Sequence, residues 1–392
     1  MKYKISELVS INSKAIKKDY DGLIKYIDTS SVNNGKFDNP RTYSTLHDAP
    51  SRARRMASVG DTVISTVRPN MKHIGFISEN NNYVYSTGFA VVSPNRKLVD
   101  PYYLYLYLSS AFVTKTLQSI GETSTSTYPS IKPNDIGNLS VDIPSMKEQT
   151  VVAKRIRLLD EKIKFNNRIN DNLLKQLKLS FNNLYLSLTD DKTFTLGELI
   201  FENISGDWGK AQSQGDFTNR VTIIRGADID DLALGNSAKT PIRYIKNRAL
   251  VNKHLLPNDV LVEISGGSPT QSTGRSLLVS DSVIDKFSSE VLGTNFTRIF
   301  RPSSEENSIL FKSYLDFLYD KDVFFNYENG TTGIKNLDYK SVLKIQLPDI
   351  RKANNYQQYI NLYKLYNNTV QSNGRQSVQL TKIRQAMLNN FF

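Results

Sequence analysis

Apolar and polar positions along the chain first follow a short-period pattern. Apolar runs rich in β-branched residues, bounded by Gly, Pro and Asn, predict short strands joined by turns. These runs are Thr62–Val67, His73–Ile77 and Gly88–Ser93. Asp100 followed by Pro101 is typical of a helix start, so we expect a helix to about Gln118, whose tyrosines pack on the sheet. The pattern predicts an α+β domain over residues 1–145.

The pattern then changes to that of one long helix. From Met146 to Leu188 there is no Gly or Pro, and apolar residues recur at steps of three and four. They are Ile156, Leu159, Ile163, Leu173, Leu177 and Leu184. Asn166 and Asn170 fill the stripe positions between them. Residues 146–189 are therefore predicted to form an amphipathic helix that needs a partner helix, with asparagines that fix its register.

Both patterns return in the second half of the chain. The matching segments are Tyr3–Val9 with Phe194–Ile200, Leu23–Ile27 with Thr222–Gly226, Gly60–Ile64 with Asn258–Val262, Gly75–Ile77 with Ser276–Leu278, Pro129–Lys132 with Thr332–Lys335, and Leu139–Pro144 with Leu343–Pro348. The repeat is too long for a solenoid, so each copy is expected to be a whole domain followed by an appendage.

The second copy predicts a domain over residues 190–350 and a helical segment over 351–392, interrupted at Asn373-Gly374. Its predicted strands are Val260–Ile264, Ser276–Val279 and Asn295–Phe300. The simplest way to bury both apolar stripes is to pack the two helices together, antiparallel. The predicted fold is α+β, with two similar domains joined by an intramolecular coiled coil of pseudo-twofold symmetry.

The length of the spacer helix limits what two such domains can span. Residues 147–188 extend about 63 Å at about 1.5 Å per residue. At about 3.4 Å per base pair along one strand of a nucleic-acid duplex, this length would correspond to about 18 base pairs.

Composition narrows the function classes. The chain has 392 residues, 39% of them apolar, which is enough for two cores. Absence of cysteine excludes disulfides and cysteine-ligated zinc. His47, His73 and His254 lack metal-ligand spacing and are expected to be surface or hydrogen-bonding histidines. Neither a signal peptide nor a membrane span is predicted, so we expect a cytoplasmic protein.

Net charge points to the partner. The chain carries +12, and residues 1–190 hold 26 Lys and Arg against 17 Asp and Glu. A basic balance of this size favours phosphate backbones or acidic membranes. Without a basic amphipathic helix at either terminus, nucleic acid is the favoured partner.

The sequence lacks several common catalytic motifs. No Gly-x-Gly-x-x-Gly follows a strand, and neither a Gly-Lys-Ser/Thr phosphate loop nor the Asn/Asp-Pro-Pro-aromatic motif of amino-methyltransferases occurs. Pro257–Ser265 loosely resembles a Pro-Asp…Glu-x-Lys nuclease core, but Ser265 occupies the lysine position. A self-contained metal-dependent nuclease and a stand-alone repressor stay open as alternatives.

The duplicated layout carries a family resemblance. In the first copy, the segments that carry the resemblance are Thr123–Lys132, Val141–Pro144 and Glu148-Gln149. In the second copy they are Gly330–Lys335 and Gln346–Pro348, and Tyr356-Gln357-Gln358 replaces the Glu-Gln pair. A hydroxyl-rich segment ending in Ile-Lys, a strand running into Pro and a long helix, all present twice, resembles the specificity subunit of Type I restriction-modification systems (HsdS).

The resemblance implies a division of labour in phage defence. Each target-recognition domain would read one half of a bipartite DNA sequence, while the helices set the gap and dock two methyltransferase subunits. This chain would be non-catalytic and hold no cofactor or metal. S-adenosylmethionine for adenine-N6 methylation, and ATP and Mg for the restriction/translocase subunits, are expected in the partners.

Several residues are candidate DNA contacts. In the first domain they are Arg52, Arg54 and Arg55 as a backbone-contacting cluster, Arg68 and Lys72 between two strands, and Ser124, Thr125, Ser126, Tyr128 and Lys132 near the Ile-Lys segment. In the second they are Trp208, Arg225, Gln271, Arg275, Asn329, Thr331, Thr332 and Lys335. Arginine at such a turn suits bidentate contact with guanine, and short hydroxyls suit phosphates. Solvated turns, linkers or helix faces are the alternative for these segments.

Overall fold

The computed structural model describes residues 2–124, 127–188, 193–268, 270–330 and 334–392. The chain divides into two compact units. Unit 1 consists of Met1–Glu161 and Thr381–Phe392, and unit 2 of Lys162–Leu380. The unit boundaries therefore fall inside the long helices, whereas the predicted domain boundaries fall at the helix ends. Among the described residues, no helix is long and apolar enough to cross a bilayer.

Unit 1 is built on two four-stranded sheets. Its strands are β1 (Lys2–Lys4), β2 (Val9–Ile11), β3 (Ile24–Ile27), β4 (Val32–Asn33), β5 (Lys36–Phe37), β6 (Arg41–Tyr43), β7 (Ala53–Met56), β8 (Thr62–Ser65), β9 (Ile74–Phe76), β10 (Val84–Ser86), β11 (Phe89–Pro94) and β12 (Ser140–Asp142). The sheet orders are β2-β11-β8-β9 and β6-β3-β10-β7, and β1 pairs with β12. The helices are α1 (Ile5–Leu8), α2 (Pro101–Leu108), α3 (Ala111–Glu122), α4 (Pro133–Gly137) and the first part of α5 (Met146–Leu186).

Unit 2 repeats this topology. Its strands are β13 (Thr193–Thr195), β14 (Ile200–Ser205), β15 (Phe217–Ile224), β16 (Ile242–Lys246), β17 (Val260–Glu263), β18 (Ser265–Gly266), β19 (Ser276–Leu278), β20 (Val291–Gly293), β21 (Thr297–Pro302), β22 (Glu328–Asn329), β23 (Lys335–Leu337) and β24 (Gln346–Pro348). Sheet β14-β21-β17-β19 has the order of β2-β11-β8-β9, β16-β15-β20 that of β6-β3-β10, and β13-β24 that of β1-β12. Its helices are the rest of α5, α6 (Ile229–Ala233), α7 (Asn247–Lys253), α8 (Asp281–Ile284), α9 (Glu305–Asp320), α10 (Tyr339–Val342) and most of α11 (Tyr356–Phe391).

One turn explains why similar residues occur at equivalent positions of the two copies. Gly60 and Asn258 precede the equivalent strands β8 and β17, and both have positive φ (95° and 73°). The next residue is an aspartate in each copy. Asp61 Oδ2 accepts a 2.8 Å hydrogen bond from the backbone of Ser58, and Asp259 Oδ2 accepts one from Leu256, also 2.8 Å. Left-handed backbone followed by a buried capping carboxylate explains the repeated Gly/Asn-Asp pair.

The predicted helix from Asp100 to Gln118 is two helices. Asp100 caps α2 as expected, its Oδ1 accepting from the backbone of Tyr102 and Tyr103 at 2.9 Å each. The prediction of one continuous helix was wrong because Ser110 caps a second helix, its Oγ accepting from Val113 N at 3.3 Å. Tyr103, Tyr105 and Tyr107 are buried, so this tyrosine run belongs to the core as predicted.

The predicted long helix is α5, and it packs against α11 within each unit. In unit 2, Asn166 Nδ2 donates to Gln376 Oε1 and Asn373 Nδ2 donates to Asn170 Oδ1, both at 2.9 Å. The Phe181 and Tyr359 rings lie 5.8 Å apart in the same unit. Partner numbers fall along α11 as they rise along α5, so the two segments are antiparallel in this unit. These bonds agree with the register-fixing role predicted for the asparagines.

α11 continues through Asn373-Gly374, so the predicted interruption was wrong. Gly374 is buried against the turn after α6. A Cβ on it would lie 2.2 Å from the carbonyl oxygen of Leu234 and 2.5 Å from the Cα of Gly235. The glycine therefore permits close backbone approach instead of ending the helix.

Candidate nucleic-acid interface

In unit 1, the connection after β8 is a tight turn that exposes Arg68. Arg68 and Lys72 flank the short 3-10 turn Pro69–Met71, and both adopt left-handed backbone, with φ of 50° and 53°. The backbone N–H of Arg68 donates to the carbonyl of Pro129 at 2.8 Å. Positive φ is uncommon outside glycine, so this turn is held in its conformation by the segment it pairs with.

The Arg68 side chain is positioned by an aromatic ring. Its guanidinium carbon lies 3.9 Å from the centroid of the Tyr128 ring, and both residues are exposed. Stacking of this kind is worth about 0.5–1 kcal/mol at an exposed site and restricts the guanidinium to a plane. Within the described residues, no acceptor pairs with this guanidinium, so its donors can face a guanine edge or a phosphate.

Part of the hydroxyl-rich segment that ends at Lys132 lies beside this turn. Ser130 Oγ donates to Ser124 Oγ at 3.3 Å, which places Ser124 next to the strand segment that pairs with Val67. Thr125 and Ser126 lie outside the described residues. Lys132 is exposed before α4, and its backbone N–H donates to Asp135 Oδ2 at 2.7 Å. The structure thus brings Arg68, Tyr128 and Ser124 into one region.

The arginine cluster lies at one side of a sheet, where the segment around Ala15 pairs with Arg55. Arg54 and Arg55 belong to β7, the last strand of the β6-β3-β10-β7 sheet, and Arg52 immediately precedes it. Arg52 and Arg54 are exposed and Arg55 is half-buried. Such a cluster can contact a phosphate backbone but carries no base information by itself.

In unit 2, three of the predicted cations are held in ion pairs. Arg275 is 18% exposed and pairs with Glu263 and Asp230 at 2.9 Å each. Arg225 pairs with Asp228 at 2.9 Å, and Lys335 with Glu328 at 2.8 Å. Hydrogen bonds to Glu263 raise the pKa of Arg275 despite its burial. These side chains have carboxylate partners already, which weakens the case for base contact.

The remaining candidates of unit 2 are more accessible. Gln271 and Asn329 are exposed. Trp208 is 39% exposed, with the Arg243 guanidinium carbon 4.1 Å from its ring centroid. Thr331 and Thr332 lie outside the described residues. As DNA contacts, all of the candidates in both units stay predictions.

Strand pairing corrects one part of the sequence alignment. Ile131 N donates to Thr66 O at 2.8 Å, and Leu337 N donates to Ile264 O at 2.9 Å. Ile131 therefore corresponds to Leu337 and not to Ile334. Lys132 and Lys335, matched by sequence, are not structural equivalents, because the two Ile-Lys pairs are offset by three residues in the strand pairing.

The nuclease-like segment does not offer free carboxylates. Asp259 receives two hydrogen bonds from Arg301, at 2.8 and 2.9 Å, and Glu263 receives two from Arg275. Over the described ranges, no group of three or more carboxylates or histidines has metal-binding geometry.

The histidines are hydrogen-bonding or surface residues as predicted. His73 Nδ1 lies 2.6 Å from the carbonyl oxygen of Val32, and His254 Nδ1 lies 3.0 Å from that of Leu250. His47 is fully exposed at its side chain.

Parts of this chain match known proteins. Residues 1–175 match the model of the Type I restriction modification DNA specificity domain. The Type I restriction enzyme HindI specificity subunit of Haemophilus influenzae is 34% identical over 151 residues, which cover 38% of this chain and 33% of that protein. The StySPI specificity subunit of Salmonella potsdam is 21% identical over 277 residues, covering 65% and 57%.

A solved structure shares the fold. The crystal structure of the Type-I restriction-modification system S subunit from M. genitalium has a TM-score of 0.57 at 15% identity, over 100% of this chain and 96% of that one. The similarity to Type I restriction-modification specificity subunits is carried by residues 1–175, which are less than half of the chain. This chain spans one third to a little over half of the length of these two curated relatives.

Proposed function

We propose that this chain is the DNA sequence-specificity subunit of a Type I restriction-modification complex and recognises a bipartite target in duplex DNA. The observation that carries the proposal is the match of residues 1–175 to a DNA specificity domain. The recurrence of the same strand orders in unit 2 supports two reading surfaces, each facing one half of the target.

In unit 1, the reading surface is proposed to centre on Arg68. Stacking on Tyr128 restricts the plane of the Arg68 guanidinium before DNA binds, so less conformational entropy is lost on binding. Bidentate donation to guanine O6 and N7 is the commonest specific arginine contact in the major groove. Lys72, Lys132, Ser124 and the arginines of β7 are proposed as phosphate contacts that set position.

The spacer is proposed to be an intramolecular antiparallel coiled coil of α5 and α11, with pseudo-twofold symmetry. Support comes from their lengths, 41 and 36 residues, and from the asparagine bonds between them in unit 2. At about 1.5 Å per residue, α5 extends about 60 Å, which limits the gap between half-sites to about 18 base pairs.

The chemistry is proposed to lie in other polypeptides. Two methyltransferase subunits would dock on the helices and supply S-adenosylmethionine and adenine-N6 methylation, and restriction/translocase subunits would supply ATP hydrolysis with Mg and cleavage. This chain would cut and methylate nothing. The arginine partners of Asp259 and Glu263 support that assignment over a nuclease, because each neutralises a carboxylate that a metal ion needs.

The proposal is tested by producing the chain with the methyltransferase subunits of its own system, in a host without background adenine methylation, and mapping N6-methyladenine. We expect an interrupted motif whose methylation requires the chain. Methylation that is unchanged when the chain is omitted would contradict the proposal. Mg-dependent cleavage by the purified chain alone would favour the nuclease, and tight specific binding without any effect on methylation would favour the repressor.

A further inference from the structure

Unit 2 carries a group of basic and aromatic side chains that the sequence pattern does not single out. The group lies on the antiparallel β15–β16 pair, at the end farther from the connection through α6. There Phe217–Arg220 are exposed or half-buried, whereas Val221, Ile223 and Ile224 are fully buried. We define it as the ribbon face, which consists of Lys210, Phe217, Arg220, Tyr244 and Lys246.

Strand register places the two cations on either side of one tyrosine. Arg220 lies opposite Tyr244 in the antiparallel β15–β16 pair. Lys210 pairs with Tyr244 from the other side, with N–H to carbonyl bonds of 2.9 Å in both directions. Directly opposed residues project to the same face of a sheet, so Lys210, Tyr244 and Arg220 form a row.

The ring of Phe217 supports the two lysines of the ribbon face. Lys210 Nζ lies 5.7 Å and Lys246 Nζ 5.2 Å from the ring centroid. Lys246 also lies 3.3 Å from Asp216, but the two side chains are 52% and 83% exposed, and a pair in that environment is worth little. The ribbon face therefore presents three cations, with one exposed carboxylate beside them.

The segment that carries Lys210 is held firmly against β16. On the opposite side of the sheet, Arg243 Nε donates to the carbonyl of Trp208 at 3.1 Å, and its guanidinium stacks on the Trp208 ring. Gly209 has a φ of 59°, and a Cβ there would lie 2.4 Å from the carbonyl oxygen of Tyr244. A third strand-like segment is thus fixed against β16, and the row is preorganised.

We infer that the ribbon face is the surface through which unit 2 holds the DNA backbone, with Lys210 and Arg220 each contacting a phosphate. This inference rests on the proposed function and adds to it a DNA-contacting site in unit 2. Adjacent strands lie about 4.8 Å apart. The backbone positions of Lys210 and Arg220, on the two strands that flank Tyr244, are therefore about 10 Å apart. This separation is comparable with the width of the major groove, about 12 Å, so the two cations can reach phosphates on either side of it. Lysine and arginine rows with interleaved aromatics suit polyanions better than apolar protein surfaces.

The test uses the complex of the full chain with its methyltransferase subunits and a duplex that contains the motif found by methylation mapping. Its Kd is measured at several salt concentrations for the wild type, for the double variant Lys210→Gln with Arg220→Gln, and for Lys344→Gln, an exposed lysine of the same unit. Loss of two phosphate contacts should lower the slope of log Kd against log salt by about 1.8, equally for specific and nonspecific duplexes.

The possible results distinguish a failure of this inference from a failure of the proposed function. A double variant with the Kd and salt slope of Lys344→Gln overturns the inference, provided that the wild type binds its motif. A wild-type complex without any preference for the motif contradicts the proposed function itself. Loss of the methyltransferase subunits from the double variant would assign the ribbon face to a protein partner and overturn the inference. Emission of Trp208, the only tryptophan of the chain, checks in the isolated chain that each variant keeps the fold around β16.

Discussion

Arg275 donates two parallel hydrogen bonds to the carboxylate of Glu263, from Nε to Oε2 and from Nη2 to Oε1, each 2.9 Å long. Glu263 is only 4% exposed. Arg275→Ala would leave a buried carboxylate unpaired, at a cost of about 3–5 kcal/mol in the free energy of unfolding. Urea denaturation of the isolated chain measures this change.

Arg248→Ala is the matched control, because Arg248 is exposed in the same unit. We expect its free energy of unfolding to stay within about 0.5 kcal/mol of the wild type. A stable Arg275→Ala variant whose methylated motif is relaxed in one half would instead restore Arg275 as a base-reading residue.

Arg68 is expected to act in recognition and not in stability. Arg68→Ala should relax one half of the methylated motif by about 1–3 kcal/mol per lost bidentate contact and leave the other half unchanged. Motif mapping with the methyltransferase subunits present measures both halves at once.

The left-handed backbone at Arg68 supplies a second variant. Arg68→Gly suits φ of 50° and removes the guanidinium, so we expect equal or higher stability with the same loss of discrimination. Equal weakening on every DNA sequence would assign Arg68 to phosphate contact instead.

Gly374 tests the close packing of α11 on the turn after α6. A Cβ at this position meets backbone atoms of Leu234 and Gly235, which cannot rotate away as a side chain can. The cost of overpacking, about 1–3 kcal/mol, should exceed the roughly 1 kcal/mol that alanine gains in a helix. Thermal unfolding should therefore show a lower Tm for Gly374→Ala. Ser372→Ala, at an exposed position two residues away, should leave the Tm unchanged or raise it.

Lys286 gives a dependence on pH. Burial, with the nearby charge of Arg375, lowers the pKa of Lys286 to about 8 from the ordinary 10.5. Between these values the unfolded chain holds a proton that the native state lacks, so the contribution of Lys286 to the free energy of unfolding rises with pH. The difference between the wild type and Lys286→Met should grow in favour of the wild type from pH 7.5 to 9.5. Parallel stability curves over this range would show that Lys286 keeps its ordinary pKa.

The sequence predicts best what depends on local pattern. The stripe with Asn166 and Asn170 specified a long helix and its polar register positions, because both follow from the spacing along one element. The Gly60-Asp and Asn258-Asp turns likewise returned at equivalent strands. These features need no knowledge of distant residues.

Features that depend on distant contacts were missed. Gly374 looked like a helix breaker because its reason, the turn at Leu234 and Gly235, lies about 140 residues earlier in the chain. Arg275 looked like a free loop cation because its carboxylate partners are 12 and 45 residues away. The ribbon face is brought together only by strand register, and no periodicity in one strand reveals it.

The most direct test of the central claim is motif mapping of N6-methyladenine in one host with the wild type, Arg68→Ala, and the double variant Lys210→Gln with Arg220→Gln. We expect an interrupted wild-type motif, relaxation of a single half by Arg68→Ala, and an unchanged motif with a lower fraction of methylated sites for the double variant. A continuous motif, or one in which Arg68→Ala alters both halves together, would contradict separate reading by the two units.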